Sequence, residues 1–189
     1  MDLALPAPKS SLAMIQVSKL LPQGQGLAPV LLKRATTVEL DWDVRQKSRF
    51  DATDSEGRKL GVFLPRGTLV RGGDVLVSED GSLVKVIAAP QAVLVITACA
   101  DHGTPFDLTR AAYHLGNRHV ALQVGDGWLR LLDDYVLKAM LEQLGAHTET
   151  LEAPFQPEHG AYGGGHHHSR HGDEDFNYPP KLHQFGVRL

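Results

Sequence analysis

The sequence predicts an α+β protein: a small all-β barrel or sandwich domain, then a ferredoxin-like βαββαβ domain, then a histidine-rich tail. Turn residues interrupt the first part of the chain at short, regular intervals. Two helical patterns then alternate with short apolar strands, and from Gly160 onward glycine, histidine and charged residues dominate. The predicted boundaries are a flexible leader at 1–13, a β-rich domain at 14–90, a ferredoxin-like domain at 91–159, and a flexible tail at 160–189.

Short segments rich in β-branched and aliphatic residues lie between the turns of the first domain. Several of these segments alternate apolar and polar residues, which is typical of half-buried strands. Asp80-Gly81 is the clearest hairpin turn, because glycine adopts the positive φ that such turns need. The predicted strands are MIQVSKLL from Met14, VEL from Val38, GVFL from Gly61, DVLV from Asp74 and LVKVI from Leu83.

The second domain is predicted from two capped helices placed among strands. Thr104 can cap the first helix, Pro105 suits its first turn, and Gly116 is expected to stop it. Asp133 or Asp134 caps the second helix in the same way. The predicted elements are a strand at 92–97, a helix at 104–116, strands at 120–124 and 128–132, a helix from 133 or 134 to 145, and a strand at 147–151.

Composition limits the classes of function. The 19 basic and 22 acidic residues give a net charge of −3, which argues against nucleic acid as the main partner. No apolar run reaches the ~18 residues that span a bilayer, so no membrane association is predicted. A single cysteine, Cys99, and the lack of an export signal predict a cytoplasmic protein. The basic residues interpreted as solvated turns and strand faces are Arg45, Lys47, Arg49, Arg58 and Lys59.

The tail carries the first chemical signal. His166, His167, His168 and His171 place four imidazoles within six residues, and imidazole is a good ligand for Ni(II), Cu(II) and Zn(II). An expression tag or an inert solvated tail are the alternatives. Only three of these histidines are contiguous, however, and the chain continues for 18 residues beyond them. The segment therefore predicts metal binding.

A second pair of histidines lies in the segment YHLGNRH. His114 is expected near the end of the first helix of this domain, and His119 is expected to open the following strand. Their spacing of five residues does not match one helical face, so the two need not share an ion. His114 also gains from the helix dipole at that end, which is a sufficient structural reason for it. By residue type alone, a structural role is favoured over a ligand role.

An enzyme is the main competing interpretation. A metallohydrolase needs three ligands and a general base in one pocket, and His102, His114 and His119 lack any such spacing. Outside the tail there is no HExxH pattern, no G-x-S-x-G nucleophile elbow and no Walker A loop. The chain is therefore predicted not to be an enzyme.

Three further segments are HLGNRHVALQ from His114, LRLLDDYVLKAMLEQLG from Leu129 and APFQPEHGAYGGGHHH from Ala153. They resemble the urease accessory nickel chaperones, and the resemblance extends over most of residues 14–171. The β-rich half also fits the N-terminal peptide-binding domain of that family. Some members carry extra histidines at the start of the second helix, where this chain has Asp133 and Tyr135, so a peripheral site there is not expected.

The resemblance implies a homodimeric carrier that delivers Ni(II) during assembly of the urease active site. Residues 14–90 would then be a partner-binding domain and 91–159 a metal-binding and dimerisation domain. His119 of each subunit would hold one Ni(II) at the dimer axis, and imidazole chemistry also allows Zn(II) or Cu(II) in vitro. The implied partners are a urease accessory GTPase and the urease maturation complex. A metal store or interaction module without directed delivery remains the alternative. The remaining candidate ligands are the tail residues His166, His167, His168 and His171, together with His114.

Overall fold

A computed structural model describes residues 14–158 of the chain. The predicted leader at 1–13 and the predicted tail with its four histidines lie outside the described residues. Within 14–158 the strands form one six-stranded and one four-stranded sheet, here called the first and the second sheet. The first-sheet elements are β1 (Ile15–Leu21), α1 (Pro29–Arg34), β2 (Thr36–Leu40), α2 (Trp42–Arg45), β3 (Arg49–Thr53), β4 (Lys59–Phe63), β5 (Val75–Ser78) and β6 (Leu83–Ala88). The second-sheet elements are β7 (Pro90–Ala98), α3 (Pro105–Gly116), β8 (Gln123–Gly125), β9 (Trp128–Leu132), α4 (Tyr135–Gln143) and β10 (Ala146–Pro154).

The first sheet has the strand order β2-β6-β5-β1-β4-β3 and mixes parallel with antiparallel pairs. The five strands predicted in this region are all present, including the β5–β6 hairpin around Gly81, whose φ is +83°. The sequence analysis missed β3 and both short helices. In β3 only Phe50 and Ala52 pack against the core, so its sequence RFDAT has a weak apolar signal.

Alternate residues of these strands fill one apolar core. Fully burying such side chains stabilises the fold by about 1.5–3 kcal/mol each. Because strand side chains alternate between the two faces of a sheet, one face of the first sheet supplies this core. The completely buried members of this cluster are Val17, Leu60, Val62, Val70, Leu76 and Val84.

The two edge strands of the first sheet approach each other through the turn that follows β3. The Ser55 amide donates to the Thr37 carbonyl at 2.7 Å, and the Thr36 hydroxyl donates to the Asp54 carboxylate at 3.1 Å. Arg58 closes the same junction with an ion pair to Asp54 at 2.7 Å. The sheet therefore curls towards closure, as in the barrel alternative predicted from the sequence.

The second sheet is antiparallel with the order β10-β7-β9-β8, and the element order is the predicted strand, helix, strand, strand, helix, strand. Helices α3 and α4 pack on one face, where Leu94, Ile96, Leu115 and Leu141 are fully buried. None of the helices within 14–158 combines the length and apolar character that a bilayer span requires.

The opposite face of the second sheet packs against the first half of the chain. Trp42 from α2 meets Phe155 edge to face, with ring centroids 5.9 Å apart, and Val93 of β7 completes this small core. Arg45 is completely buried beside them, with its guanidinium 5.4 Å from the centroid of the Trp42 ring. The prediction that Arg45 is a solvated surface residue is therefore wrong, because the sequence does not reveal that a second sheet covers α2.

The buried carboxylate of Asp54 should make the stability of the protein depend on pH in acid. Burial alone would raise the pKa of this carboxyl, but hydrogen bonds from Arg58, Thr36 and the Glu56 amide outweigh burial and lower it. A lowered folded-state pKa means that the carboxylate contributes stability above its unfolded value of ~3.9, and that this contribution is lost as pH falls through the folded value. We expect Asp54→Asn to reduce the free energy of unfolding by about 2–3 kcal/mol at neutral pH.

Urea unfolding of the wild type and Asp54→Asn between pH 7 and pH 3 checks this expectation. The difference between the two proteins should shrink as the solution becomes acidic below about pH 4. Asp126→Asn, in the exposed β8–β9 turn, is the control and should leave the profile unchanged. A constant difference between the wild type and Asp54→Asn at every pH would contradict the assignment.

Candidate functional site

The end of α3 sets the position of His119. A capping box between Thr104 and Asp107 begins this helix. At the other end, the Val120 amide donates to the Leu115 carbonyl at 3.2 Å and the His119 amide donates to the Gly116 carbonyl at 2.9 Å. These two bonds form the Schellman motif, in which the residue just past the helix takes a left-handed conformation. Here that residue is His119, with φ +55°.

His119 therefore does not open a strand, and this prediction is wrong. The strand predicted at 120–124 is only β8, which begins at Gln123, because the amide of Val120 is already bonded to α3. The helix does end at Gly116 as predicted, but the left-handed residue is His119 and not the glycine. A non-glycine residue at positive φ costs about 1–2 kcal/mol, and such strain collects at functional sites.

His114 lies in the last turn of α3 and is half-buried. Its ring meets Tyr113 edge to face at 5.5 Å between centroids, and its carbonyl accepts a hydrogen bond from the Arg118 guanidinium at 3.1 Å. These contacts agree with a structural role for His114, which the sequence analysis gave as the alternative to a ligand role. Across residues 14–158, no three side chains of the types His, Cys, Asp and Glu come together as a metal site.

His119 is exposed and lies between two clefts. One cleft, of about 340 Å³, runs towards the start of α4 and includes Asp134 and Leu137. The other, of about 420 Å³, runs towards the first half of the chain and includes Trp42, Gln46 and Leu69. Each cleft is many times larger than the ~30 Å³ that one water molecule occupies in the liquid. A hydrated ion and further ligands therefore have room beside the imidazole.

The last residues that the structure describes, 155–158, run past the cleft of His119. After β10 the chain leaves one edge of the second sheet and crosses to the opposite edge in residues 155–158, here called the crossing segment. The Glu158 amide donates to the Leu122 carbonyl at 2.8 Å, and Glu158 lines the same cleft as His119. The sequence analysis did not find this approach of Trp42, Gln46 and Glu158 to His119, because no local pattern encodes a contact between distant segments.

Large apolar side chains are exposed around the same end of the second sheet. Tyr113 is 66% exposed on α3, and Tyr135 and Val136 are 85% and 56% exposed at the start of α4. Tyr135 follows Asp134, which lines a cleft with His119. Exposed apolar groups gathered near one another are typical of surfaces that bind another protein. The four tail histidines predicted as ligands lie outside the described residues.

The left-handed backbone at His119 predicts an unusual response to substitution. Glycine fits this conformation without strain, so His119→Gly should match the wild type or gain up to about 1 kcal/mol in free energy of unfolding. His119→Val should lose more than about 1 kcal/mol, because a β-branched residue tolerates positive φ poorly. Chemical denaturation of the metal-free proteins measures both, and equal stability of the two variants would contradict the backbone assignment.

Comparison with known proteins identifies the family. The family model described as the N-terminal domain of the UreE urease accessory protein matches residues 17–89, and the one described as its C-terminal domain matches residues 91–183. The urease accessory protein UreE of Albidiferax ferrireducens is 64% identical over 168 residues, which is 88% of this chain and 97% of that protein. The protein of the same name from Pseudomonas fluorescens SBW25 is 66% identical over 164 residues, 86% of this chain and 96% of the relative.

A third relative, the urease accessory protein UreE of a Polaromonas species, is 69% identical over 154 residues, covering 82% of this chain and 70% of that protein. The resemblance noted in the sequence is thus confirmed over both halves of the chain. This chain, with its sheet-rich N-terminal domain and its α+β C-terminal domain, belongs to the UreE family of urease accessory proteins.

Proposed function

We propose that this protein is a cytoplasmic nickel carrier that delivers Ni(II) during assembly of the urease active site. Its relatives are named urease accessory proteins, and the site chemistry described above suits a carrier better than a catalyst. The partners in this proposal are a second copy of the chain, the urease accessory GTPase and the urease maturation complex. We also infer that the C-terminal domain is ferredoxin-like, in keeping with its element order.

The observation that carries the proposal is an exposed imidazole at the end of α3, in a part of the chain, residues 14–158, where no group of three or more candidate ligands comes together. One imidazole cannot retain Ni(II) alone, whereas two copies related by a twofold axis bring two His119 rings to one ion. The remaining coordination positions stay open to water or other groups. Such an incomplete shell exchanges ligands, which a carrier needs in order to release its cargo.

The surroundings of His119 support pairing of two chains. The exposed Tyr113, Tyr135 and Val136 lie at the same end of the second sheet, and removing aromatic and aliphatic area from water contributes about 25 cal/mol per Å². A twofold contact is self-complementary, so residues close to the axis meet their own copies. His119 between two clefts is well placed for such a contact.

The position of Glu158 supports a role for the tail. His166 lies eight positions after Glu158, and a chain of that length can reach at most about 26–29 Å. Because Glu158 lines the cleft of His119, the proposed ligands His166, His167, His168 and His171 would be present at high effective concentration over the ion. His114 is the weakest candidate, since its contacts within α3 already account for it.

A metal store without directed delivery is the second candidate, and the four tail histidines favour it because they add binding capacity. The two functions differ in the transfer step. A carrier passes Ni(II) to the purified GTPase faster than the same concentration of free Ni(II) reaches it, whereas a store slows the transfer. Stopped-flow measurement of nickel arrival on the GTPase separates them.

Removal of the His119 imidazole should abolish the tight shared site. His119→Gly should keep the turn at the end of α3 while removing the ligand. We therefore expect nickel affinity to fall by more than about 100-fold, which exceeds the usual loss when a residue that only supports a metal ligand is replaced. Isothermal titration with Ni(II) should change from one tight ion per dimer to none. His147→Thr, at an exposed position of β10, is the matched control, and truncation after Gly165 should lower capacity while the tight site persists. An unchanged titration in His119→Gly would refute the proposal.

The pH dependence of nickel binding follows from the ligand type. Imidazole must be neutral to ligate, and free imidazole has a pKa of ~6.5. With two imidazoles per ion, affinity should be nearly constant above about pH 7.5 and should fall by up to about 100-fold per pH unit below about pH 5.5. Titrations between pH 8 and pH 5 measure this slope. An affinity that is flat over that interval would exclude imidazole as the ligand.

A further inference from the structure

A third cleft, here called the basic cleft, lies beside the cleft that runs from His119 towards the first half of the chain. It has a volume of about 600 Å³, and its charged lining residues are Lys47, Arg49 and Arg66. No carboxylate of residues 14–158 is among its lining residues. Gln46 lines both the basic cleft and the cleft that contains His119. The basic cleft is therefore the immediate neighbour of the proposed nickel site.

Two loops of the N-terminal domain form the basic cleft. The Leu64 amide donates to the Ser48 carbonyl at 2.7 Å, and the Val70 amide donates to the Arg45 carbonyl at 2.9 Å. These bonds join the loop between α2 and β3 to the loop that follows β4. The three cations lie on these two loops and at the first residue of β3. Their backbone positions are thus fixed in the free protein, and a partner would meet a preformed group of positive charges.

The cations of the basic cleft have no partners of their own in the described part of the chain. Most arginines in residues 14–158 bind a carboxylate or a carbonyl. The exceptions are Arg34, Arg49 and Arg66, and the last two of these line the basic cleft. The Lys47 side chain, which is exposed like theirs, also lacks a hydrogen bond or ion pair within 14–158. Exposed cations gathered without counter-ions attract a negatively charged surface and speed its association.

An exposed apolar patch adjoins the basic cleft. Arg49 is the cross-strand partner of Phe63, so both side chains stand on the same face of the first sheet. Phe63 and Met14 are exposed, and a Cβ placed on Gly61 would lie 2.7 Å from the Met14 sulfur and 3.2 Å from the Phe63 ring. The two side chains therefore meet over the glycine. Aromatic residues, methionine and arginine are enriched in protein interfaces, so this composition favours a protein over a small anion as the occupant.

We propose that the basic cleft and the patch of Met14 and Phe63 form one docking surface for a partner protein with a carboxylate-rich face. Carboxylates of the partner pair with the three cations, and an apolar side chain of the partner covers the Phe63 ring. The choice of partner rests on the proposed function. Because the basic cleft adjoins the cleft of His119, the partner that fits is the protein that accepts the ion, and docking brings it to the imidazole.

The test measures association of the full-length protein with the purified urease accessory GTPase by stopped flow. Arg49→Glu and Arg66→Glu, made together, should lower the association rate constant by about 10-fold or more at low ionic strength. The wild-type rate should fall steeply as NaCl rises from about 50 mM to about 500 mM, and the rate of the double variant should depend much less on salt. Arg34→Glu is the matched control, because Arg34 is also exposed and without a partner in 14–158 but lines a different cleft.

A second variant tests the apolar part of the docking surface. Phe63→Ala should raise the dissociation rate constant by about 10-fold while changing the association rate constant by less than about twofold, because buried aromatic contacts act on dissociation. Titration of each variant with Ni(II) alone should match the wild type, since none of the substituted residues lines the cleft of His119. That titration also shows that the variants are folded.

Four results would overturn the docking surface. They are wild-type protein that does not associate with the GTPase, unchanged association in the Arg49 and Arg66 double variant, an equal loss in Arg34→Glu, and binding of GTP alone by the wild type that the double variant loses. The last result would make the basic cleft a site for a small phosphate-bearing ligand. Absence of a tight nickel site in the wild type, with the expected association results intact, would refute the proposed function and leave the docking surface standing.

Discussion

The conformation of one residue at the end of α3 determines what the proposed site can do. The Schellman bonds to Leu115 and Gly116 hold His119 at φ +55° and turn the chain away from the helix axis. The imidazole thereby stands exposed between two clefts, on backbone that cannot rearrange without breaking the helix end. In the proposed carrier, such a ligand would bind an ion with little reorganisation of the backbone, and the open clefts would leave space for the groups that remove the ion.

The two domains contribute to this arrangement in different ways. The second sheet and α3 supply the imidazole, while the N-terminal domain supplies hydrogen bonds to the crossing segment that runs to Glu158. The Trp42–Phe155 contact and the buried Arg45 occupy the centre of that junction. Because these groups belong to one connected polar and aromatic network, their contributions are not independent of one another. Residues 155–158 therefore belong to the domain junction and also run past the cleft that contains His119.

Local patterns in the sequence predicted most of the fold, since capping residues, glycine turns and apolar alternation encode elements directly. The helix from Thr104 to Gly116 and the strand from Trp128 to Leu132 were predicted within a residue. The interactions that fix the site were not predictable in this way. Positive φ at a histidine contradicts the usual preference for glycine, so His119 was placed in a strand. The burial of Arg45 depends on Phe155, which is 110 positions away along the chain and has no local signature.

The buried junction also bears on how far the two domains are separate units. Family models divide the chain near Ala89, and a designer of fragments would choose that position. Division there would expose the Trp42 and Phe155 rings to water and deprive the Arg45 side chain of its most distant acceptor. Each half would then expose an apolar surface that is buried in the intact protein and that favours aggregation. A hybrid of one N-terminal half and the C-terminal half of a relative would therefore fold stably only where the residues of the two parents fit together at this domain junction.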